Sequence, residues 1–233
     1  DLPRIVRRAA KLALTPPTGP VFISLPGDIL NTQAAIELGH PTRIETATRP
    51  TDATLDELAA RVLKAKNPVI VVGHEVATSN ALAEAARFAE LLGAPVYQQT
   101  VPYGAHFLSE HPTFMGALSR VQAEVRDVLE PYDLMICLGA DVLRMSVFST
   151  VDPLPRDLRI MQIGLLDWEM GKNYPTETAV RADVKETLRV LNTVLQDKQG
   201  KADRSKAHAR LAAISNHNWT ASRNLLRARL VGE

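Results

Sequence analysis

A chain of 233 residues, 45% hydrophobic and 23% charged, is long enough for one large domain with appendages and has an ordinary globular composition. A formal net charge of +1 excludes a strong electrostatic case for nucleic acid or an anionic membrane surface. No apolar run approaches the roughly 20 residues that span a bilayer. The single cysteine, Cys137, cannot form an intrachain disulfide. Inside the run LMICLG it reads as a small buried hydrophobe of a protein in a reducing, cytoplasmic compartment. The chain starts at Asp1 with no Met and no signal-like segment, and reads as a piece of something longer.

Residues 1–15 form an amphipathic helix, with Ile5, Ala9, Leu12 and Ala13 on one face and arginines on the other. PPTGP breaks it, and VFISLP follows as a predicted strand over residues 21–25. The polar, irregular NTQAAIELGHPTRIETATRP is a linker of the extended kind. After Pro50, TDATLDELAARVLKAKN is a helix that starts at Asp52 or Thr54 and ends among lysines. It leads into NPVIVVGHEVATSNALAEAARFAELLGAP. There the β-branched run 69–72 predicts a strand buried on both faces, Thr78 and Ser79 are N-cap candidates, and Gly93 is a helix stop.

A second strand over residues 96–99 enters the loop TVPYGAHFLSEHPTFMGALS, which has no periodicity and is long enough to suspect a role. A helix over 120–129 and strands over 134–138, 159–163 and 179–181 follow, and a helix over 184–195 closes the domain. Five strands alternating with helices predict an α/β fold: a doubly wound, Rossmann-like parallel sheet. Beyond Gln196, DKQGKADRSK reads as charged and flexible. A basic helix trails behind it, leaving Trp219 and Leu225 partly exposed unless something packs on them.

In such a sheet, ligands bind at the carboxyl ends of the strands. The candidates there are Gly73, His74 and Glu75; Gln99 and Thr100; Gly139, Ala140 and Asp141; and Gly164 to Asp167. Gly73 stands alone where a dinucleotide fingerprint needs G-x-G-x-x-G, and no G-x-x-x-x-G-K-[ST] exists. Were a nucleotide bound, Gly73, His74, Gly139, Asp141 and Asp167 would be its contacts. Asp167 could hold a ribose hydroxyl, and reads more simply as the cap of Trp168–Met170. His74 and Glu75 are an acid–base pair by type only. His106 and His111 are five apart in a loop with no cysteine or paired carboxylate to complete a metal set. His208 and His217 read as solvated. Ser146 and Ser149 lack the G-x-S-x-G elbow. The residues alone supply a fold and no catalytic constellation.

Several phrases, in order, resemble the thiamine diphosphate-dependent enzymes of the benzoylformate decarboxylase and acetolactate synthase type. They are TGPVFISLPGDIL, KNPVIVVG, ELLGAPVYQQT, SEHPTFMGAL, YDLMICLGADV and DWEMGKNYPTETAVRADV. The resemblance covers residues 1 to about 195, and LPRIVRRAAKLALTPPTGPVFISLP, HPTFMG and GADVLRM give it a benzoylformate decarboxylase flavour. It implies that residues 1–30 are the end of a pyrimidine-binding domain, 31–50 a linker and 51–196 the central domain. Residues 197–233 would then be a linker helix toward a diphosphate-binding domain. It further implies thiamine diphosphate and Mg²⁺ in a parent enzyme that is a dimer or tetramer, and a 2-keto acid decarboxylase or carboligase activity. The activating Glu of the first domain and the G-D-G…N motif of the third are not in this sequence, so the fragment alone is expected to be inert.

In benzoylformate decarboxylases a catalytic His follows the strand matching 134–138. GADVLRMSVF puts Ser146 there, leaving Arg144 and Ser146 as substrate-channel residues and no catalytic residue in this chain. Central domains of the family bind FAD in the synthase branch and an adenine nucleotide in oxalyl-CoA decarboxylase. Ala117-Leu118-Ser119 and Asp141-Val142-Leu143-Arg144 replace the synthase's flavin-side segments, which disfavours FAD or ADP here. The competing readings are a stand-alone nucleotide-binding domain, NAD-binding and sirtuin-like, or an interaction module docking a partner through its tail.

Overall fold

The computed structural model describes residues 2–37, 39–40, 42–147 and 149–231, in two units, 1–46 and 47–233. Asp1 of the predicted first helix, Leu38 and Pro41 of the linker, Phe148 of the predicted channel loop, and Gly232 and Glu233 of the tail lie outside the described residues.

In the first unit, helix α1 (Leu2–Leu14) forms as its periodicity predicts, and a short helix α2 (Gly27–Leu30) follows PPTGPVFISLP. Of the predicted apolar face, Ala9 is buried whereas Ile5 and Leu12 are exposed. The strand expected over 21–25 is not formed. Phe22 is 90% exposed and residues 21–26 pair with no described segment. Extended backbone becomes a strand only when a neighbour takes its amides and carbonyls, and no described residue of this unit does so.

The second unit carries the sheet. Helix α3 (Asp52–Lys64) begins at Thr51, whose hydroxyl accepts from the Thr54 amide, and buries Leu55, Leu58, Ala59 and Val62. Strand β1 (Pro68–Val72) leads through Gly73 into the one-turn helix α4 (His74–Thr78) and then helix α5 (Leu82–Leu92). Thr78 and Ser79 do not cap α5 as predicted. Their hydroxyls donate back to the carbonyls of His74 and Glu75, because α4 intervenes. Gly93 ends α5 in the left-handed region, at φ +59°. Strands β2 (Val96–Gln98) and β3 (Phe114–Ala117), helix α6 (Gln122–Leu129), and strands β4 (Leu134–Leu138), β5 (Arg159–Gly164) and β6 (Thr178–Arg181) follow. Helix α7 (Val184–Lys198) is capped by Asp183 through the Glu186 amide.

The six strands are all parallel in the order β3-β2-β1-β4-β5-β6, so the chain reverses direction across the sheet between β1 and β4. Alternation along β1 and β4 divides the core in two. Ile70, Val72, Leu134, Ile136 and Leu138 join α3, α5 and α7 on one face. Val69, Val71, Met135 and Cys137 join α6 on the other. Each such side chain contributes roughly 1.5–3 kcal/mol by leaving water. Cys137 is buried as predicted, and burial pushes its thiol up to about 12.

The tail departs from the expected flexible stretch. Only Gln199 and Gly200 separate α7 from helix α8 (Lys201–Ser215), whose Asp203 side chain accepts from the Gly200 amide. Helix α8 lies on the end of α5: Arg210 donates to the carbonyls of Leu92 (3.0 Å) and Lys66 (3.1 Å). A Cβ on Gly93 would come within 2.1 Å of the Ala207 carbonyl. Helix α9 (Trp219–Val231) lays Trp219 edge-on against Phe114 of β3, and Arg223 pairs with Glu110. Trp219 and Leu225 stay partly exposed, at 41% and 57%. The connecting tail is thus also a packing element.

Candidate functional site

The carboxyl ends of β1, β4 and β5 converge at the switch point, and the sequence-predicted residues meet there. Gly73 donates to the Leu138 carbonyl (3.0 Å), the Glu75 amide to Gly139 (3.2 Å) and Gly139 to Ile163 (2.7 Å). The turns are pressed together. A Cβ on Gly73 would lie 2.2 Å from the Gly139 carbonyl oxygen and 2.3 Å from the Ala140 Cα. Gly139, at φ +53°, faces Glu75 so closely that its own Cβ would sit 2.3 Å from the Glu75 Cβ. These glycines permit close approach of backbone to backbone and of backbone to Glu75.

Glu75 occupies the crevice. One carboxylate oxygen accepts from the Leu165 amide (2.6 Å) and the other from the Leu166 amide (3.2 Å). Burial raises its pKa above the ordinary value; the two amides pull it down, and the charges of Asp183 and Asp141 push it further up. The space left beside it, between Gly139, Asp141, Gly164 and Met170, is about 10 Å³, room for about one water. The acid–base pair suggested by His74 and Glu75 is not made. Glu75 turns into the crevice, while His74, exposed, meets the His106 ring edge-on at 5.8 Å.

Asp167 departs from its expected role too. The one-turn 3₁₀ segment Asp167–Glu169 has no side-chain cap, and the Asp167 carboxylate pairs with Arg181 at 3.1 Å.

The other half of the same edge is polar and open. Gln99, buried, donates to the Val101 carbonyl (3.1 Å) and accepts from the Asp141 amide (3.1 Å), tying the β2 turn to the β4 turn. Thr100 donates to the Arg144 carbonyl (2.8 Å). The Arg144 guanidinium lies 2.8 Å from the Asp141 carboxylate and donates to the Tyr103 hydroxyl at 3.0 Å. Arg144 and Ser146 are both exposed on this loop, and Leu143 holds φ +48°. His106 is buried with neither ring nitrogen hydrogen-bonded, and burial, then His74, lowers its pKa. His111 is engaged elsewhere, with Thr113 (2.8 Å) and Glu90 (3.4 Å). Among the described residues no group of three or more His, Cys, Asp or Glu side chains could hold a metal ion.

Sequence reasoning placed Gly73, His74, Gly139 and Asp141 at this edge. It missed that Glu75 fills the crevice and that Tyr103 joins Arg144. The signal for the first was three strand-end glycines, Gly73, Gly139 and Gly164, with no phosphate motif around them.

A six-stranded parallel sheet with helices on both faces, whose switch-point crevice holds its own Glu75 side chain, defines a class: a doubly wound, Rossmann-like α/β domain. The family model for the thiamine pyrophosphate enzyme central domain matches residues 55–191, more than half of the chain. The chain therefore belongs to the thiamine pyrophosphate (thiamine diphosphate) enzyme family, through its central domain.

Among curated relatives it is 31% identical over 193 residues to a benzoylformate decarboxylase from Pseudomonas aeruginosa, covering 82% of this chain and 36% of that protein. It is 28% identical over 208 residues to a chloroplastic acetolactate synthase from Nicotiana tabacum, covering 86% of this chain and 31% of that one. A solved thiamine diphosphate-dependent 4-hydroxybenzoylformate decarboxylase from Rhodococcus jostii superposes with a TM-score of 0.74 at 31% identity. That superposition covers 84% of this chain and 37% of the decarboxylase. The chain thus spans about a third of the length of the relatives it matches.

Proposed function

We propose that residues 51–196 are the central scaffold domain of a thiamine diphosphate-dependent 2-keto acid decarboxylase or carboligase, resembling benzoylformate decarboxylase and acetolactate synthase. Residues 1–30 are then the end of the pyrimidine-binding domain, 31–50 a linker, and 197–233 the connection toward the diphosphate-binding domain. The carrying observation is the central-domain match over residues 55–191 in a chain that spans about a third of its relatives. In this reading the two cofactor-binding domains of the parent enzyme are the partners of this one, and the parent is a cytoplasmic dimer or tetramer.

At the switch-point crevice the described residues do not fit thiamine diphosphate or Mg²⁺. The described residues offer no metal-binding cluster, and the crevice at the switch point holds about 10 Å³. The thiazolium chemistry, when the cofactor is bound in the parent, comes from the flanking domains. What this chain contributes is a rigid sheet and the loop of residues 142–149, whose exposed Arg144 and Ser146 face the substrate channel. Arg144, held by Asp141 and Tyr103, is placed to attract a carboxylate such as that of a 2-keto acid. On this reading the isolated chain is expected to be inert and to bind neither FAD nor ADP.

A chimera tests the reading: residues 47–198 replace the corresponding domain of the Pseudomonas aeruginosa benzoylformate decarboxylase. A folded chimera that still binds thiamine diphosphate and releases CO₂ from a 2-keto acid is expected. A folded chimera without either property contradicts the scaffold role.

A further inference from the structure

We propose that Glu75 is an internal ligand of the switch-point crevice, its carboxylate standing where a nucleotide's phosphate would bind and closing the domain to nucleotides. In open α/β sheets this crevice takes anions on backbone amides, and strand-end glycines let the anion approach. Here every part of that arrangement is present and turned inward. Gly139 and Gly164 make their room for Glu75: a Cβ on Gly164 would lie 3.0 Å from its carboxylate, and one on Gly139 would meet its Cβ. The two amides of the β5 turn, Leu165 and Leu166, both donate to the same carboxylate. Gly73 packs so closely on Gly139 and Ala140 that even a Cβ there would lie 2.2 Å from the Gly139 carbonyl oxygen.

The carboxylate also links elements far apart in sequence. Helix α4 follows β1, whereas Leu165 and Leu166 follow β5, so the side chain clamps the β5 turn to the first turn across β4. Of the ionisable groups near the crevice, Asp141 and Glu169 on its lining are paired with Arg144 (2.8 Å) and Lys172 (3.3 Å), and Asp183 stands at the start of α7. This assignment rests on the nucleotide-free part of the reading above, and supplies the residue responsible for it.

The test is chemical rescue in the whole 233-residue chain. E75A removes the carboxylate and leaves a gap of the size of acetate. The variant is expected to melt about 5 °C below wild type, the loss of two charge-assisted hydrogen bonds. Acetate at the ionic strength of a chloride control should restore most of that loss, with wild type unresponsive. An E75A that melts with wild type, or one whose melting ignores acetate, overturns the assignment. Should E75A not fold, hydrogen exchange on wild type decides. The Leu165 and Leu166 amides are expected to exchange at least about tenfold more slowly than free loop amides. Exchange at the free-loop rate overturns the proposal. Saturable ADP binding by wild type would contradict the nucleotide-free reading together with the closure by Glu75, whereas a failed rescue without ADP binding overturns the Glu75 assignment alone, so the two failures are told apart.

Discussion

The two halves of the sheet's carboxyl edge share one fold and use it in opposite ways. At the ends of β1, β4 and β5, glycines and a buried carboxylate bring backbone against backbone until about 10 Å³ remains. At the ends of β2 and β4, Gln99 accepts from the Asp141 amide and Thr100 donates to the Arg144 carbonyl, while Arg144, Tyr103 and Ser146 stay exposed. The difference teaches that a doubly wound sheet fixes where a site could be, and side chains decide whether it is one. The sealed half is invested in rigidity. In the proposed function, the open half is the surface that meets substrate.

The largest break in that contrast should come from the sealed half. Gly73→Ala drives a Cβ into the backbone of Gly139 and Ala140, which cannot swing aside as a side chain could. We expect a loss of about 3 kcal/mol or more in urea unfolding. Next comes the seam between the halves. Gln99→Leu keeps the volume but leaves the Asp141 amide unpaired, and should cost about 2 kcal/mol by the same measurement.

The pH response separates the halves by sign. His106 has a folded pKa below its ordinary 6.5, so the unfolded chain takes up its proton first. The stability it contributes is full above that value and lost as pH falls below it. Glu75 has a folded pKa above its ordinary 4.5, so its contribution is full below that value and lost as pH rises through the folded pKa. Replacing His106 with Leu should therefore flatten the acid-side loss between about pH 7 and 5, read from denaturant midpoints. E75Q should instead remove the loss on the rising side. The smallest stability effect is expected in the open half. Arg144→Ala removes an exposed ion pair with Asp141 and should change stability by less than about 0.5 kcal/mol. In the proposed 2-keto acid decarboxylase or carboligase, the same variant is expected to act on KM for the keto acid.

Much of the fold was legible because buried strands carry their own signature. The runs 69–72 and 134–138 are short, apolar and flanked by Pro or Gly, and both lie at the centre of the sheet. The run 21–25 looks much the same and forms no strand, since a ladder needs a partner that apolarity alone cannot supply. Strand β3 was hidden for the opposite reason. It has only four residues, includes Gly116 at φ +102°, and pairs with β2 through an irregular register, so no alternation could build up. At the site, glycine positions were readable and their purpose was not. Gly139 admits the Glu75 side chain, which lies 64 positions earlier in sequence, and the Leu165 and Leu166 amides that hold it lie further on still. Contacts across that separation exist only once β1, β4 and β5 are side by side.

The most direct test of the sealed crevice is thermal unfolding of the wild-type chain with FAD, ADP and coenzyme A, each at saturating concentration. A crevice filled by Glu75 predicts melting temperatures unchanged in all three. A shift of several degrees with any of them would contradict it and make the domain a nucleotide-binding one.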